Sequence, residues 1–169
     1  MPGKTWVKSI VATVNLPTAI DSAWEAWTTP EGIKSFFAPD CNIEMCVGGL
    51  YEIFFNLNAP PGDRGAEGMH ILALQPGVML SFTWNAPPEL GKIRGELTHV
   101  TVRFHETSKV ETEVQLTHDG FGEGEEWELA RRYFQRAWKK VVLRRLKYRF
   151  LQGPVDWNNL PDLTRIRMP

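Results

Sequence analysis

The alternation of apolar and polar side chains near the N-terminus predicts a β-strand over residues 6–16, WVKSIVATVNL. Successive side chains of a strand point to opposite faces, so Ile10, Ala12 and Val14 would share one face. Thr13 falls on the other face. We therefore expect a strand that packs one face on a core and exposes the other to water.

Two short helices are predicted directly after this strand. Thr18 followed by Asp21 resembles a capping box for a helix through SAWEAW. Thr29 followed by Pro30 combines a favourable N-cap residue with a proline at the first helical position. This pair predicts a second short helix over EGIKSFF, which Pro39 would close.

The middle of the chain predicts six further strands, because apolar and aromatic residues alternate with polar ones between turn-forming segments. Gly48 and Gly49 favour a tight hairpin turn, since glycine readily adopts the positive φ that such turns need. The predicted fold class is α+β, with a curved antiparallel sheet of about seven strands. The six segments are NIEMCV, LYEIFFNL, GMHILAL, LSFTW, LTHVTVRFHE and VETEVQLTHD.

The longest predicted element is a helix over residues 125–151, roughly 40 Å long at 1.5 Å per residue. Its apolar residues recur every three or four positions and form a wide stripe, so the helix should lie across the sheet. Gly153 and Pro154 would end it. Residues 152–169 hold too few apolar side chains for a core of their own. We expect one domain over residues 1–151, followed by a tail over residues 152–169.

Composition and charge narrow the classes of function. The 169 residues are 43% hydrophobic and 11% aromatic, which suits one globular domain. A formal net charge of -1 argues against nucleic acid and against an anionic membrane surface. No apolar stretch approaches the roughly 20 residues of a membrane span, and the N-terminus lacks the pattern of a signal peptide. We expect a cytoplasmic protein, either a monomer or a homodimer.

A cavity for a small apolar or aromatic ligand is the leading functional hypothesis. Large aromatic side chains fall on the strand faces that point at the long helix, and apolar pockets with a few polar groups hold small molecules. His118, Tyr51 and Tyr133 would supply the polar groups. Plain core packing remains the alternative for each residue. The candidate ligand-binding residues are Trp27, Phe37, Tyr51, Phe55, Phe82, Trp84, His118, Phe134 and Trp138.

The segment HDGFGEGEEWE, which starts at His118, carries most of the candidate chemistry. Its glycines follow a strand and precede a helix, as in a phosphate-binding loop, but carboxylates at the helix start would repel phosphate. The carboxylates fit the first turn of a helix, where the macrodipole favours negative charge. No known metal-ligand spacing occurs, and we expect neither a metal nor a cofactor. An enzyme using His118 with Asp119 or Glu123 as acid and base is the third hypothesis, and no nucleophile can be nominated.

The second hypothesis is a protein-interaction module. The long helix carries nine basic residues after an acidic segment, and such segregation could dock an acidic protein partner, with Trp157 of the tail as an apolar anchor. A solvated outer helix face is the alternative. The nine residues are Arg131, Arg132, Arg136, Lys139, Lys140, Arg144, Arg145, Lys147 and Arg149.

The predicted order of elements resembles the helix-grip arrangement of the START-like (SRPBCC) superfamily. The segments WTTPEGIKSFFAP, VGGLYEIFF, LSFTWNAPP and VQLTHDGFGEGEEWELARRYFQRAW are similar to the AHSA1-like family, the Hsp90 ATPase activator homologues, over residues 7–150. The resemblance implies a sheet wrapped round the C-terminal helix with a deep cavity between them. Relatives in the superfamily bind lipids, hormones or polyketides, and a few cyclise or hydrolyse them. The eukaryotic namesakes stimulate Hsp90.

Overall fold

The computed structural model describes residues 8–168, and seven strands lie within that range. Trp6 and Val7, which belong to the predicted first strand, lie outside the described residues. The prediction of about seven strands and two short helices is confirmed. The strands are β1 (Ile10–Leu16), β2 (Asp40–Ile43), β3 (Tyr51–Phe54), β4 (Ile71–Gln75), β5 (Met79–Trp84), β6 (Thr98–Ser108) and β7 (Glu111–Asp119).

Five strands form one antiparallel sheet in the order β1-β7-β6-β5-β4, and β2 and β3 form a separate two-stranded ribbon. One isolated bridge joins Leu50 to His70, directly before β4, and another joins Phe54 to Gly65 in the segment after β3. The alternation in VETEVQLTHD predicts that Val110, Thr112, Val114, Leu116 and His118 face the long helix. Val110 lies outside β7 and is 73% exposed, and the other four side chains are fully buried.

The turn before β3 requires a glycine at both Gly48 and Gly49, for a different reason at each position. The Gly49 amide donates to the carbonyl of Cys46 at 2.9 Å, which closes a tight turn, and Gly48 takes a φ of 82°. Gly49 does not have a positive φ. A Cβ at that position would lie 2.2 Å from the Glu44 carbonyl oxygen, so a close backbone approach requires the second glycine.

The two short helices are α1 (Ile20–Thr28) and α2 (Pro30–Phe36). The Thr29 hydroxyl accepts from the Gly32 amide at 3.0 Å, as the predicted N-cap with a following proline requires. The capping box at Thr18 is wrong, because Ala19 occupies the N-cap and no side chain caps α1. The Thr18 carbonyl instead accepts from the Thr112 hydroxyl at 2.9 Å, which ties the start of α1 to β7.

The C-terminal helix has three parts: α3 (Glu125–Arg136), a π-helical segment (Ala137–Val142) and α4 (Leu143–Leu151). In the π segment the Leu143 amide donates to the carbonyl of Trp138, five residues earlier. α4 packs against β1 and α2, and α1 packs on β6 and β7. The long helix lies across the sheet as predicted, and the observed fold class is α+β.

The tail folds back onto the domain. The Val155 amide donates to the Ser35 carbonyl at 2.8 Å, and the indole N–H of Trp157 donates to the Lys34 carbonyl at 2.7 Å. Val155 is buried. Trp157, proposed from the sequence as an anchor for a partner, thus contacts α2 of its own chain. No helix of the described residues 8–168 is long and apolar enough to cross a membrane.

Candidate functional site

The structure joins all nine candidate ligand-binding residues in one network of ring contacts. Phe37 is central to it: its ring centroid lies 5.9 Å from those of both Trp84 and Trp138, and 5.3 Å from that of Trp27. The rings occupy the space between the sheet and the C-terminal helix. The remaining contacts join Phe37 to Phe55, Tyr51 to Phe82, Phe82 to Trp84, Trp138 to Phe134 and Phe134 to His118.

His118 is fully buried and its two ring nitrogens both have partners. The indole N–H of Trp138 donates to Nδ1 at 3.0 Å, so the neutral ring carries its proton on Nε2. That nitrogen lies 2.7 Å from the hydroxyl of Thr98, which donates to the Trp84 carbonyl at 3.2 Å. Burial, and secondarily the charge of His99, lowers the pKa of His118 to about 3. The imidazole is therefore neutral at physiological pH.

The other two predicted polar groups lie at different depths. The Tyr51 hydroxyl is buried and donates to the Trp27 carbonyl at 2.8 Å, and burial raises its pKa well above the ordinary value. Tyr133 is 51% exposed on α3, where partial burial, and then the charge of Glu89, raises its pKa. Of these two tyrosines, only Tyr133 lines the open pocket described next.

An open pocket of about 480 Å³ lies at one end of the ring network. It is bounded by the segment after β3, the segment after β5 and the C-terminal helix on either side of the π segment. Four of the nine candidate residues, Phe55, Trp84, Phe134 and Trp138, line it. The other five lie deeper in the core. A pocket of this size falls within the usual range for small-molecule sites.

The lining combines an apolar floor with a charged rim. Ala137, Val141 and Val142 of the π segment extend the aromatic floor. Four arginines and two carboxylates line the same pocket, so the lining carries a net positive charge although the chain as a whole is slightly acidic. The charged residues are Arg64, Arg94, Arg136, Arg145, Asp63 and Glu89.

Arg94 holds the two loops of the rim together. Its guanidinium donates to the carbonyls of Ala86 and Gly62, and to that of Gly65 at 2.8 Å. Sequence reasoning treated both loops as connections only. A signal was present, because the segments NAPPGDRG and NAPPELGKIRG both start with Asn-Ala-Pro-Pro and end with Arg-Gly. The matched pattern indicates two loops of related construction.

The glycine-rich segment before α3 packs on the core. A Cβ at Gly122 would lie 2.4 Å from the indole nitrogen of Trp127, and Phe121 contacts His118 with ring centroids 4.5 Å apart. Glu125, Glu126 and Glu128 occupy the first turn of α3, as expected of helix-start residues.

Asp119 lies away from His118, on the outer side with His99, 3.9 Å from its ring nitrogen. Within the described part of the chain, no three His, Cys, Asp or Glu residues are placed to hold a metal ion.

Comparison with protein families decides the classification. The family model described as activator of Hsp90 ATPase homolog 1-like protein matches residues 17–150. The chain belongs to the AHSA1 family. The observed order of a strand, two short helices, six strands and a long helix is the helix-grip arrangement expected from the resemblance.

Solved structures of AHSA1-like proteins share this fold at low sequence identity. The Aha1 dimer from Colwellia psychrerythraea has a TM-score of 0.64 at 21% identity, covering 86% of this chain and 97% of that one. An HSP90 activator from Plasmodium falciparum has a TM-score of 0.63 at 14% identity, covering 86% and 96%.

A protein of the dynemicin biosynthetic locus also shares the fold, with a TM-score of 0.65 at 16% identity, covering 87% of this chain and 48% of that one. No curated protein matches the chain. At these levels of sequence identity, the similarities show that the chain shares the fold of these proteins.

Proposed function

We propose that this AHSA1-family protein binds a small molecule with an apolar, ring-bearing body in the pocket beside the π segment of the C-terminal helix. The observation that carries the proposal is the 480 Å³ pocket, floored by Phe55, Trp84, Phe134 and Trp138 and rimmed by polar groups. Flat aromatic walls favour a ligand with rings of its own, because ring faces and edges attract one another beyond simple area burial.

The partial exposure of Phe55 supports a ligand that binds at the mouth of the pocket. Phe55 is 41% exposed although its ring contacts both Phe37 and Trp84. An apolar ligand over this exposed ring would remove its surface from water, which stabilises a complex by about 25 cal/mol per Å² of apolar area. The buried rings of the network, such as Trp27, Tyr51 and Phe82, would support the pocket floor from the core side.

The geometry supports binding over catalysis. Both nitrogens of His118 are occupied by Trp138 and Thr98, and the ring is shut off from solvent. A general base has to reach the proton that it removes. Asp119 faces the other side of the sheet, and Glu123, the other acid considered from the sequence, is exposed while His118 is fully buried.

Native mass spectrometry of the protein purified from its own host tests the proposal. We expect a species heavier than the bare chain, which denaturation converts to the bare mass. The Ala137→Trp variant should lack the extra mass, because Ala137 lines the pocket and a large side chain there fills it. Leu129→Trp is the matched control, since Leu129 is 53% exposed on α3 outside the pocket lining.

Thermal unfolding of both variants checks that the fold is retained. An extra mass that persists in Ala137→Trp would contradict the site. A bare chain in every sample, together with no binding of added naphthalene derivatives, would contradict small-molecule binding itself.

A second candidate function, docking of an acidic protein partner, is favoured by the exposed basic residues of the C-terminal helix. Several of the nine basic residues are engaged within the chain: Arg131 pairs with Glu128 at 2.6 Å, and Lys147 donates to the Arg167 carbonyl at 2.8 Å. The exposed members are Arg132, Arg136, Lys139 and Lys140. A relative described as an HSP90 activator makes the Hsp90 of the host the first partner to test.

Binding of purified host Hsp90 should be lost in the double variant Lys139→Glu, Lys140→Glu and should weaken with added salt. Lys109→Glu is the control, because Lys109 is exposed in the β6–β7 turn. Equal binding by the double variant and the control, or no binding by the wild type, would contradict a basic docking surface for this partner.

A further inference from the structure

We propose that Arg145 makes the pocket selective for ligands that carry a carboxylate, and that Trp157 of the tail positions the Arg145 guanidinium. This inference rests on the small-molecule binding proposed above and names the chemical class of the ligand. An apolar ring system bearing one carboxylate would match the aromatic floor and the positive rim together.

Arg145 lies on α4 at the edge of the pocket and lacks a counter-charge. It lines the cavity with Trp138 and Val142, one turn or two earlier on the same helix. Its Nε is buried without a hydrogen-bond partner, and no carboxylate of the described residues lies within ion-pair distance of its guanidinium. A half-buried cation in this state has lost hydration without gaining an ionic partner.

The other rim arginines differ from Arg145 in this respect. The guanidinium of Arg94 donates to three loop carbonyls, and the Nε of Arg64 donates to the Ala59 carbonyl at 2.9 Å. Arg136 is exposed to water. Arg145 is therefore the rim cation for which an anionic ligand changes the electrostatics most, because desolvated charges interact more strongly than solvated ones.

The guanidinium of Arg145 lies over the indole ring of Trp157. The Cζ of Arg145 lies 5.0 Å from the centroid of the Trp157 ring, and the indole N–H of Trp157 is held by the Lys34 carbonyl. Such a cation–π contact restricts the movement of the guanidinium and leaves its N–H groups free to donate. A carboxylate can accept two parallel hydrogen bonds from such a fork, which makes the contact both strong and directional.

Paired probes with the same ring body test the inference: 2-naphthoate, which is anionic, and 2-naphthalenemethanol, which is neutral. Calorimetric titration at pH 7 should give the wild type at least a tenfold preference for 2-naphthoate. Arg145→Gln should bring the two affinities within about twofold by weakening 2-naphthoate alone. Trp157→Leu should lower the preference severalfold, and Trp157→Phe should restore most of it.

Arg149→Gln is the matched control. Arg149 lies on the same helix over the ring of Phe150, at 5.4 Å, and does not line the pocket. It should keep the wild-type preference. Equal wild-type affinities for the two probes, or an Arg145→Gln variant that loses both probes equally, would overturn the carboxylate selectivity while leaving small-molecule binding in place. Failure of both probes to bind the wild type would overturn this inference, and together with a bare chain in every mass spectrum it would contradict the binding proposal as well.

Discussion

The hydrogen bonds of His118 connect three elements inside the core. The ring sits on β7, its Nε2 partner Thr98 begins β6, and its Nδ1 partner Trp138 lies in the π segment. Trp138 can serve only one tautomer, because an indole N–H is a donor alone. Protonation of the imidazole would add an N–H donor at Nδ1, directly opposite the indole N–H of Trp138. The network is therefore stable only while the histidine is neutral.

The free energy of unfolding should fall in mild acid because of this residue. Folding lowers the pKa of His118 from 6.5 to about 3, so between these values the unfolded chain binds more protons and stability drops as pH falls. This group alone should remove about 2 kcal/mol between about pH 7 and pH 5. Urea unfolding across that range should show a smaller loss in His118→Gln. His105→Gln, at an exposed position, should keep the wild-type dependence. An unchanged slope in His118→Gln would contradict a buried neutral imidazole.

At the scale of single residues, the sequence showed which side chains face inward but not how deeply each lies. Alternation along β5 and β7 placed Phe82, Trp84 and His118 on the inner faces, and all three are buried. Periodicity carries no information on whether neighbouring rings leave a gap. Arg145 was counted only as one of nine basic helix residues, because its isolation from carboxylates arises from the fold.

The π segment keeps the buried side of the C-terminal helix facing the sheet along its whole length. Each step of four residues in an α-helix overshoots a full turn by about 40°, so the buried row through Phe134 and Trp138 drifts off the sheet. The wide turn takes up an additional residue and returns Leu143 and Leu146 to the buried side, where both are fully covered. The apolar stripe predicted the helix correctly. It could not predict the π turn, since α and π spacing differ only by this slow drift.

Deleting Lys140 should convert the segment to a regular α-helix without rotating α4, because the wide turn already takes up that one residue. Leu143 and Leu146 should stay in the core, and the free energy of unfolding measured in urea should change by less than about 1 kcal/mol. Deleting Lys139 together with Lys140, both exposed, removes one residue more than the turn can release, so α4 should rotate by about 100°. The double deletion should then cost roughly 3 kcal/mol or more, the scale of emptying one buried leucine site. A single deletion as destabilising as the double deletion would show that the π turn has no such role.

At the scale of the whole molecule, the tail and the domain form one packed unit. Residues 152–169 looked from the sequence like a segment without a core. Their backbone and side chains bind α2 and α4 at several points, and Val155 and Ile166 are at most 9% exposed. Short apolar segments carry little periodic signal, so their burial depends on a surface that only the folded domain supplies. The tail also holds Trp157 against Arg145, which links its docking to the proposed pocket.

Removing residues 153–169 should therefore lower stability and ligand selectivity together. Burial of a side chain such as Val155 or Ile166 contributes about 1.5–3 kcal/mol before the entropy of ordering the tail is subtracted, so a net loss of about 1–3 kcal/mol is expected. The truncated chain should still unfold cooperatively, since the sheet and the C-terminal helix remain, and its preference for 2-naphthoate should fall as in Trp157→Leu. Leu160→Ser, at a residue 54% exposed within the tail, should change neither quantity. A truncated chain with wild-type stability would mean that the tail rests on the domain without stabilising it. A truncated chain that is destabilised yet keeps its preference would separate the tail's structural role from the orientation of Arg145.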